Sequence, residues 1–133
     1  MTLEERKAQV YSYLGKTVTI EIDRPIGYVH EKKDGTRLCY PINYGYIPGV
    51  LGGDDEELDV YLLGVDHPVE SYTCRIVGIV HRKNDVEDKL IGAPEGIAFS
   101  ANEMLQAVVF QEKYYDSYVE TEERALALQN AIQ

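Results

Sequence analysis

Long apolar runs are what this 133-residue sequence lacks most plainly, its longest stretches being a few residues long, as at 77–80 with its embedded Gly78. A bilayer-crossing helix needs roughly 20 such residues in a row, so no membrane span is expected. The opening Met-Thr-Leu-Glu-Glu-Arg-Lys has no basic start followed by an apolar block and a small-residue cleavage site. Export is therefore not expected, and a cytoplasmic location is. Cysteine is scarce as well: Cys39 and Cys74 sit in strand-like contexts and cannot found a secreted disulfide framework. Both read as reduced thiols in or near the core. Basic residues are outnumbered, thirteen against twenty-three acidic ones, for a net charge of −10. Such a field repels a polyphosphate backbone, which argues against nucleic-acid binding. The same surplus of carboxylates, if concentrated, is suited to Mg²⁺.

What is present is the material of one ordinary core. The hydrophobic content is 44%, and no repeat, low-complexity tract or linker divides residues 1–133, so a single domain is expected. Thr2 with Glu5, and Leu3, Val10 and Leu14 at helical spacing, predict a helix over 2–14 ended by Gly15. Alternation of Val18, Ile20 and Ile22 with polar residues predicts a strand over 17–22, stopped by Arg24-Pro25. Residues 27–30 and 37–40 flank Lys32-Lys33-Asp34-Gly35, whose Asp-Gly pair favours a tight hairpin. The segment 40–49 mixes tyrosines with Pro41, Gly45, Pro48 and Gly49 and reads as irregular, ordered chain lining something. Strands are predicted over 58–65 and 72–80, and a short one over 89–91. Ser100 and Glu103 then open a helix whose apolar face holds Met104, Leu105, Val108 and Val109, reaching to about 115. Beyond Asp116 the chain reads as a polar stretch and then a helix or ordered arm over about 121–131. Short strands with helices gathered at the ends imply an α+β fold, a small β-barrel with flanking helices.

Two charged clusters carry the candidate chemistry. Gly52-Gly53-Asp54-Asp55-Glu56-Glu57-Leu58-Asp59 sets carboxylates at 54, 56 and 59 just before a strand. Hard divalent cations want oxygen donors, and Mg²⁺ takes one or two carboxylates together with waters and substrate phosphate. A solvated acidic turn is the alternative for such a run. The second cluster, Arg82-Lys83-Asn84-Asp85-Val86-Glu87-Asp88-Lys89, again mixes carboxylates with fixed cations, or is a hairpin tip of surface charges. Carboxylates for metals beside lysine and arginine for phosphate oxygens are what phosphoryl transfer requires. Tyr40, Tyr44 and Tyr46 offer phenolic donors, and equally amphipathic packing. His30, His67 and His81 have no zinc-site spacing and read as structural or surface residues.

Tyr40-Pro-Ile-Asn-Tyr-Gly-Tyr-Ile-Pro followed by Asp54-x-Glu56-x-x-Asp59-Val resembles the signature of the soluble family I inorganic pyrophosphatases. The likeness continues through Val77-Gly78-Ile79-Val80 and Glu87-Asp88-Lys89-Leu90-Ile91-Gly92-Ala93-Pro94, covering about residues 17–115. It implies a five-stranded OB-like barrel, Mg²⁺ or Mn²⁺ as cofactor, pyrophosphate or another small diphosphate as substrate, and a homo-oligomer. Asp54, Glu56 and Asp59 match the acids around the activating metals, with Asp85 and Glu87, or Asp88, at a second acidic group. Lys89 matches a lysine that contacts phosphate, Tyr44 a tyrosine at the active site, Tyr114 a tyrosine near the end of the last conserved helix that would bind substrate, and Glu21 a first-strand glutamate.

The departures are specific. Glu56 stands where the family has aspartate, one methylene farther from the backbone, and near-attack geometry tolerates errors of only about 1 Å before losing on the order of a hundredfold. The segment between Glu21 and Tyr40 is short, leaving Arg24, Lys32, Lys33, Arg37 and Lys83 as the candidate phosphate-gripping cations, while Tyr115 occupies a position where the family has lysine. Pyrophosphate hydrolysis by a metal-activated water is the leading expectation. An organic diphosphatase and a catalytically silent binding barrel are the alternatives.

Overall fold

The computed structural model of the chain describes residues 2–52, 56–83 and 87–122. Thr2 caps α1 (Leu3–Ser12) by accepting from the Glu5 amide, and α1 is followed by β1 (Thr17–Arg24). A hairpin of β2 (Val29–Glu31) and β3 (Arg37–Cys39) leads into β4 (Asn43–Leu51) and β5 (Glu57–Leu62). After β6 (Ser71–Arg82) and β7 (Lys89–Ala93) come α2 (Ala101–Glu112) and β8 (Ser117–Thr121). Ser100 and Glu103 form the full reciprocal capping box at the start of α2.

Five strands close into a barrel in the order β1-β4-β5-β7-β6, with β6 pairing back onto β1. β5 and β7 run parallel and the other pairs antiparallel. This is the five-stranded barrel with helices that the sequence implied. β8 lies outside the ring, paired with the far half of β6.

Two apolar cores flank the barrel wall. Inside, Ile20, Leu58, Val60, Leu62, Cys74, Ile76, Ile79 and Leu90 pack with Val10 of α1. Outside, Met104 and Val108 of α2 cover Tyr44, Tyr61, Leu63, Val80 and Ile91. Strand alternation assigns each residue to one side or the other. In β5, residues 58, 60 and 62 face in while Asp59 and Tyr61 lie on the outward face, as does Leu63 just past the strand. In β6, a register shift between Ile76 and Gly78 changes the parity, so that Ile76 and Ile79 both face in while Val80 and Arg82 turn outward.

Three expectations change. Segment 40–49 is largely strand rather than irregular chain, because Pro48 and Gly49 fall where β4 slips register against β5, between Tyr46 and Leu51, and cost no ladder bond there. Residues 117–121 form β8 rather than a polar stretch, since the buried Glu120 carboxylate accepts from the Tyr11 hydroxyl at 2.6 Å and lies 2.9 Å from His81 Nε2. Cys39 is exposed while Cys74 is in the core. The helix expected over 121–131 begins at Thr121, which ends β8, and from residue 123 lies outside the described residues. Among the described residues no helix is long and apolar enough to cross a membrane.

Candidate active site

A polar cleft of about 310 Å³ opens between the outward face of the barrel, the C-terminal end of α2 and the β2–β3 hairpin. Its floor is set by strand register. Because Val60 of β5 pairs with Leu90 of β7 in parallel, Asp59 and Lys89 stand side by side, and Tyr44 of β4 lies opposite Tyr61. The Lys89 ammonium donates to the Tyr44 hydroxyl at 2.7 Å, to Asp59 Oδ2 at 2.8 Å and to Glu87 Oε1 at 2.6 Å. Three acceptors match its three N–H donors. The Tyr44 hydroxyl in turn donates to Asp59 Oδ2 at 2.7 Å.

Burial by itself would push the Lys89 pKa down, but the contacts with Tyr44, Asp59 and Glu87 outweigh it and hold the pKa above its ordinary value. Lys89 is a fixed positive charge, not a base. Burial drives the Tyr44 phenol well above its usual pKa, so it stays a protonated donor.

One wall carries two arginines. Arg24 donates to the Tyr40 hydroxyl, and its guanidinium lies 5.4 to 5.9 Å from the ring centres of Tyr28, Tyr40 and Tyr44. Arg82 grips the buried Glu112 with two bonds, Nε to Oε1 at 3.0 Å and a terminal nitrogen to Oε2 at 2.7 Å, and reaches Glu87 at 3.2 Å. Tyr61 and Ser117 also donate to Glu112, at 2.6 and 2.7 Å. The rim is completed by His30, Lys32 and Tyr115, with Lys32 Nζ 3.4 Å from the centre of the Tyr114 ring.

Of the residues singled out from sequence, the structure gathers Arg24, Tyr40, Tyr44, Asp59, Glu87 and Lys89 in this one region. Asp88 goes elsewhere. Residues 87 and 89 share a face of the extended chain, so Asp88 points the other way, to a position 3.4 Å from His81. Glu21 is exposed on β1 away from the cleft, and the first-strand carboxylate that lines it is Asp23. The cause is the register irregularity between Ile22 and Arg24, which lets Asp23 and Arg24 both face the same space. Arg37 and Lys83 are exposed outside the cleft lining, Lys83 lying 3.9 Å from Asp116, and Tyr114 stands on the rim. Glu56 is exposed just before β5, while Asp54 and Asp85 lie outside the described residues.

Sequence reasoning noted Arg82 only as part of the second charged cluster and missed Asp23, Tyr61, Gln111 and Glu112. The one signal available for the last two was a pair of polar side chains continuing the Met104–Val108 face of α2, where apolar residues belong.

Hard oxygen donors for a divalent cation are at hand in Asp23, Asp59 and Glu87. Among the described residues no three candidate ligands stand close enough to enclose one ion. Burial first, then the charges of Asp59 and Glu57, pushes the Asp23 carboxyl above its ordinary range. A larger cavity of about 600 Å³ at the other end of α2 is lined by Val77, Ile97, Phe99 and Met104, and its Arg75 and Glu122 are paired with each other at 2.7 Å. It lacks the cleft's convergence of carboxylates and cations.

The family model described as inorganic pyrophosphatase matches residues 12–127. An inorganic pyrophosphatase of Rickettsia conorii is 32% identical over 111 residues, which cover 71% of this chain and 63% of that protein. One of Xylella fastidiosa is 32% identical over 89 residues, covering 62% and 49%. The chain thus spans between about half and just under two thirds of these curated relatives' length. Among solved structures, the inorganic pyrophosphatase from Ehrlichia chaffeensis has a TM-score of 0.59 at 18% identity, covering 83% of this chain and 88% of that one. That from Coxiella burnetii has 0.60 at 21%, covering 84% and 90%. At such identities the likeness speaks for the fold.

Proposed function

Because the chain belongs to the inorganic pyrophosphatase family, we propose that it hydrolyses inorganic pyrophosphate to two phosphates in the cleft between the barrel, α2 and the β2–β3 hairpin. The observation that carries this reading is a concentration of opposite charges. Arg24, Lys32, Arg82 and Lys89 share one small space with Asp23, Asp59 and Glu87, in a chain whose net charge is −10. A diphosphate brings several negative oxygens at once, and cations fixed before it arrives stabilise it without reorganisation.

Arg24 is suited to grip the substrate. Its guanidinium is bonded to a phenol rather than to a carboxylate, and its planar fork matches phosphate oxygens. Lys89, which keeps its proton, sets a fixed positive charge beside a bound phosphate, and the protonated Tyr44 hydroxyl helps hold Asp59 in place. Asp59 and Asp23, with Glu87 across the cleft, would hold Mg²⁺ or Mn²⁺. Such an ion supplies Lewis acidity and a bound water of lowered pKa. Glu56 and Asp54 belong to the proposal through the family motif, Glu56 standing where the chain enters β5.

The test is phosphate release from pyrophosphate with Mg²⁺ or Mn²⁺, beside Asp59→Ala and a panel of nucleoside diphosphates. Metal-dependent release that disappears in the variant supports the reading. Faster release from a nucleoside diphosphate would reassign the substrate, and no release from any of them would leave a binding barrel.

A further inference from the structure

We infer that Gln111 is a positioning residue that fixes the two arginines of the cleft relative to each other. The inference rests on the reading of the cleft as a phosphate site. Arg24 and Arg82 are joined by one chain of side-chain hydrogen bonds. Arg24 donates to the Tyr40 hydroxyl, Tyr40 donates to Gln111 Oε1, and Gln111 Nε2 donates to the Tyr61 hydroxyl at 2.8 Å. Tyr61 donates to Glu112 Oε2 at 2.6 Å, and Glu112 accepts both bonds of the Arg82 fork.

The direction of every bond is forced. An ionised Glu112 only accepts, so Tyr61 must spend its proton there and its oxygen must receive a donor from Gln111. Arg24 only donates, so the Tyr40 oxygen accepts from it and the Tyr40 proton must go to an acceptor on Gln111. An amide side chain presents a donor on one side and an acceptor on the other, as this position requires. An ionised carboxylate or an aliphatic side chain does not, and a hydroxyl would have to play both parts from a single oxygen.

Gln111 sits in the last turn of α2, beyond Met104 and Val108, where an aliphatic residue would extend the packed face. Tyr40 and Tyr61 are fully buried and Glu112 is 2% exposed, so each polar group carries a desolvation cost that only these bonds offset. Polar groups placed so deep, ending at both extremities on a phosphate-compatible cation, are explained by the position of those cations.

The charged and titratable groups facing residue 111 are Tyr40, Tyr61 of β5, Arg24 of β1, Arg82 of β6 and its neighbour Glu112, with Asp23 of β1, Tyr44 of β4, His30 and Lys32 of the hairpin, Tyr115, Lys89, Asp59 and Glu87 around the same cleft. Gln111→Glu can still accept from Tyr40, but only its protonated form can donate to Tyr61, and its ionised form adds a second charge beside Glu112. Gln111→Leu breaks the chain at every pH.

The experiment measures steady-state pyrophosphate hydrolysis by wild type, Gln111→Leu and Gln111→Glu from pH 5.5 to 9, with thermal midpoints and calorimetric binding of inorganic phosphate. Gln111→Leu is expected to raise KM about tenfold, the upper end for the loss of one neutral hydrogen bond, with a smaller change in kcat. Gln111→Glu is expected to approach wild-type kcat/KM at the acid end and to fall progressively behind as pH rises. A Gln111→Glu profile parallel to wild type, or an unchanged KM in a folded Gln111→Leu, overturns the inference. If wild type binds phosphate without hydrolysing pyrophosphate, the functional reading fails alone, and the inference then stands or falls on whether Gln111→Leu weakens that binding. A wild type that neither binds phosphate nor hydrolyses pyrophosphate overturns both.

Discussion

Asp59 and Lys89 are neighbours because β5 and β7 run parallel: the register of Val60 with Leu90 brings the ammonium to 2.8 Å from the carboxylate. Lys89 also holds Tyr44 and Glu87, so one buried cation organises side chains from β4, β5 and the entry to β7. Lys89→Met keeps the aliphatic bulk and deletes the charge, leaving Asp59 and Glu87 to repel each other. We expect a loss of about 3 kcal/mol in urea unfolding, the lower end of the range for orphaned buried partners because both carboxylates retain some solvent. Pyrophosphate hydrolysis should fall by at least about a hundredfold, the two-to-four-kcal/mol scale of a lost preorganised donor. A variant as stable as wild type would mean that Lys89 does not balance the two acids.

The barrel was legible in the sequence where alternation was clean, as in residues 17–22, and where an apolar run was long enough to mark a strand despite a break, as in 58–62 and 72–80. It was obscured where one side chain broke the pattern for a tertiary reason. Pro48 in β4 sits at a register slip, and Glu120 in β8 finds Tyr11 and His81, neither of which is adjacent in the chain. The site divides in the same way. Tyr44, Asp59, Glu87 and Lys89 were recoverable because they lie within contiguous motifs. Asp23 was not, because it lies outside those motifs, and although Arg82 belongs to a charged cluster visible in the sequence, its turn into the cleft depends on the β6 bulge that reverses strand parity. Gln111 and Glu112 acquire meaning only when α2 is laid on the barrel.

Gly45 marks a different constraint. A Cβ at this position would lie 1.8 Å from the Glu21 carbonyl oxygen and 2.8 Å from its carbon, both backbone atoms that cannot swing aside. Gly45→Ala must push β4 away from β1 beside the bulge that delivers Asp23 and Arg24. Overpacking of this kind costs typically 1–3 kcal/mol, and the rigid neighbours place the expected cost at about 3. Denaturant midpoints measure it, and an Ala variant within about 0.5 kcal/mol of wild type would show that the two strands are not held at this spacing.

Acid sensitivity should track Glu112. Burial alone would raise its pKa, but the bonds from Arg82, Tyr61 and Ser117 outweigh burial and hold it below the ordinary carboxylate value. A folded-state pKa below the unfolded value of about 4.3 contributes stability that is fully present above that pH and is lost as pH falls through the folded pKa. Glu112→Gln lacks this contribution. Urea titrations of both proteins should therefore differ most at pH 7 and converge below pH 4, roughly the unfolded-state value. A constant difference across that interval would place the acid-labile group elsewhere.

Asp23 offers the sharpest separation of stability from function. Its carboxyl is pushed up by burial and by the nearby charges of Asp59 and Glu57, so without a cation beside it its negative charge at neutral pH is a burden on the fold. An asparagine side chain in its place would relieve that burden with nearly the same shape, and Asp23→Asn is expected to have a higher thermal midpoint than wild type in metal-free buffer. Adding MgCl₂ should reverse the order. A ligand that binds the folded state stabilises it in proportion to the logarithm of its concentration over Kd, so the protein that binds Mg²⁺ more tightly gains more. Wild type should then rise more than the variant, and its pyrophosphate hydrolysis should saturate at lower Mg²⁺. Equal Mg²⁺-induced shifts in the two proteins would remove Asp23 from the metal ligands and leave its raised pKa as a consequence of the bulge alone.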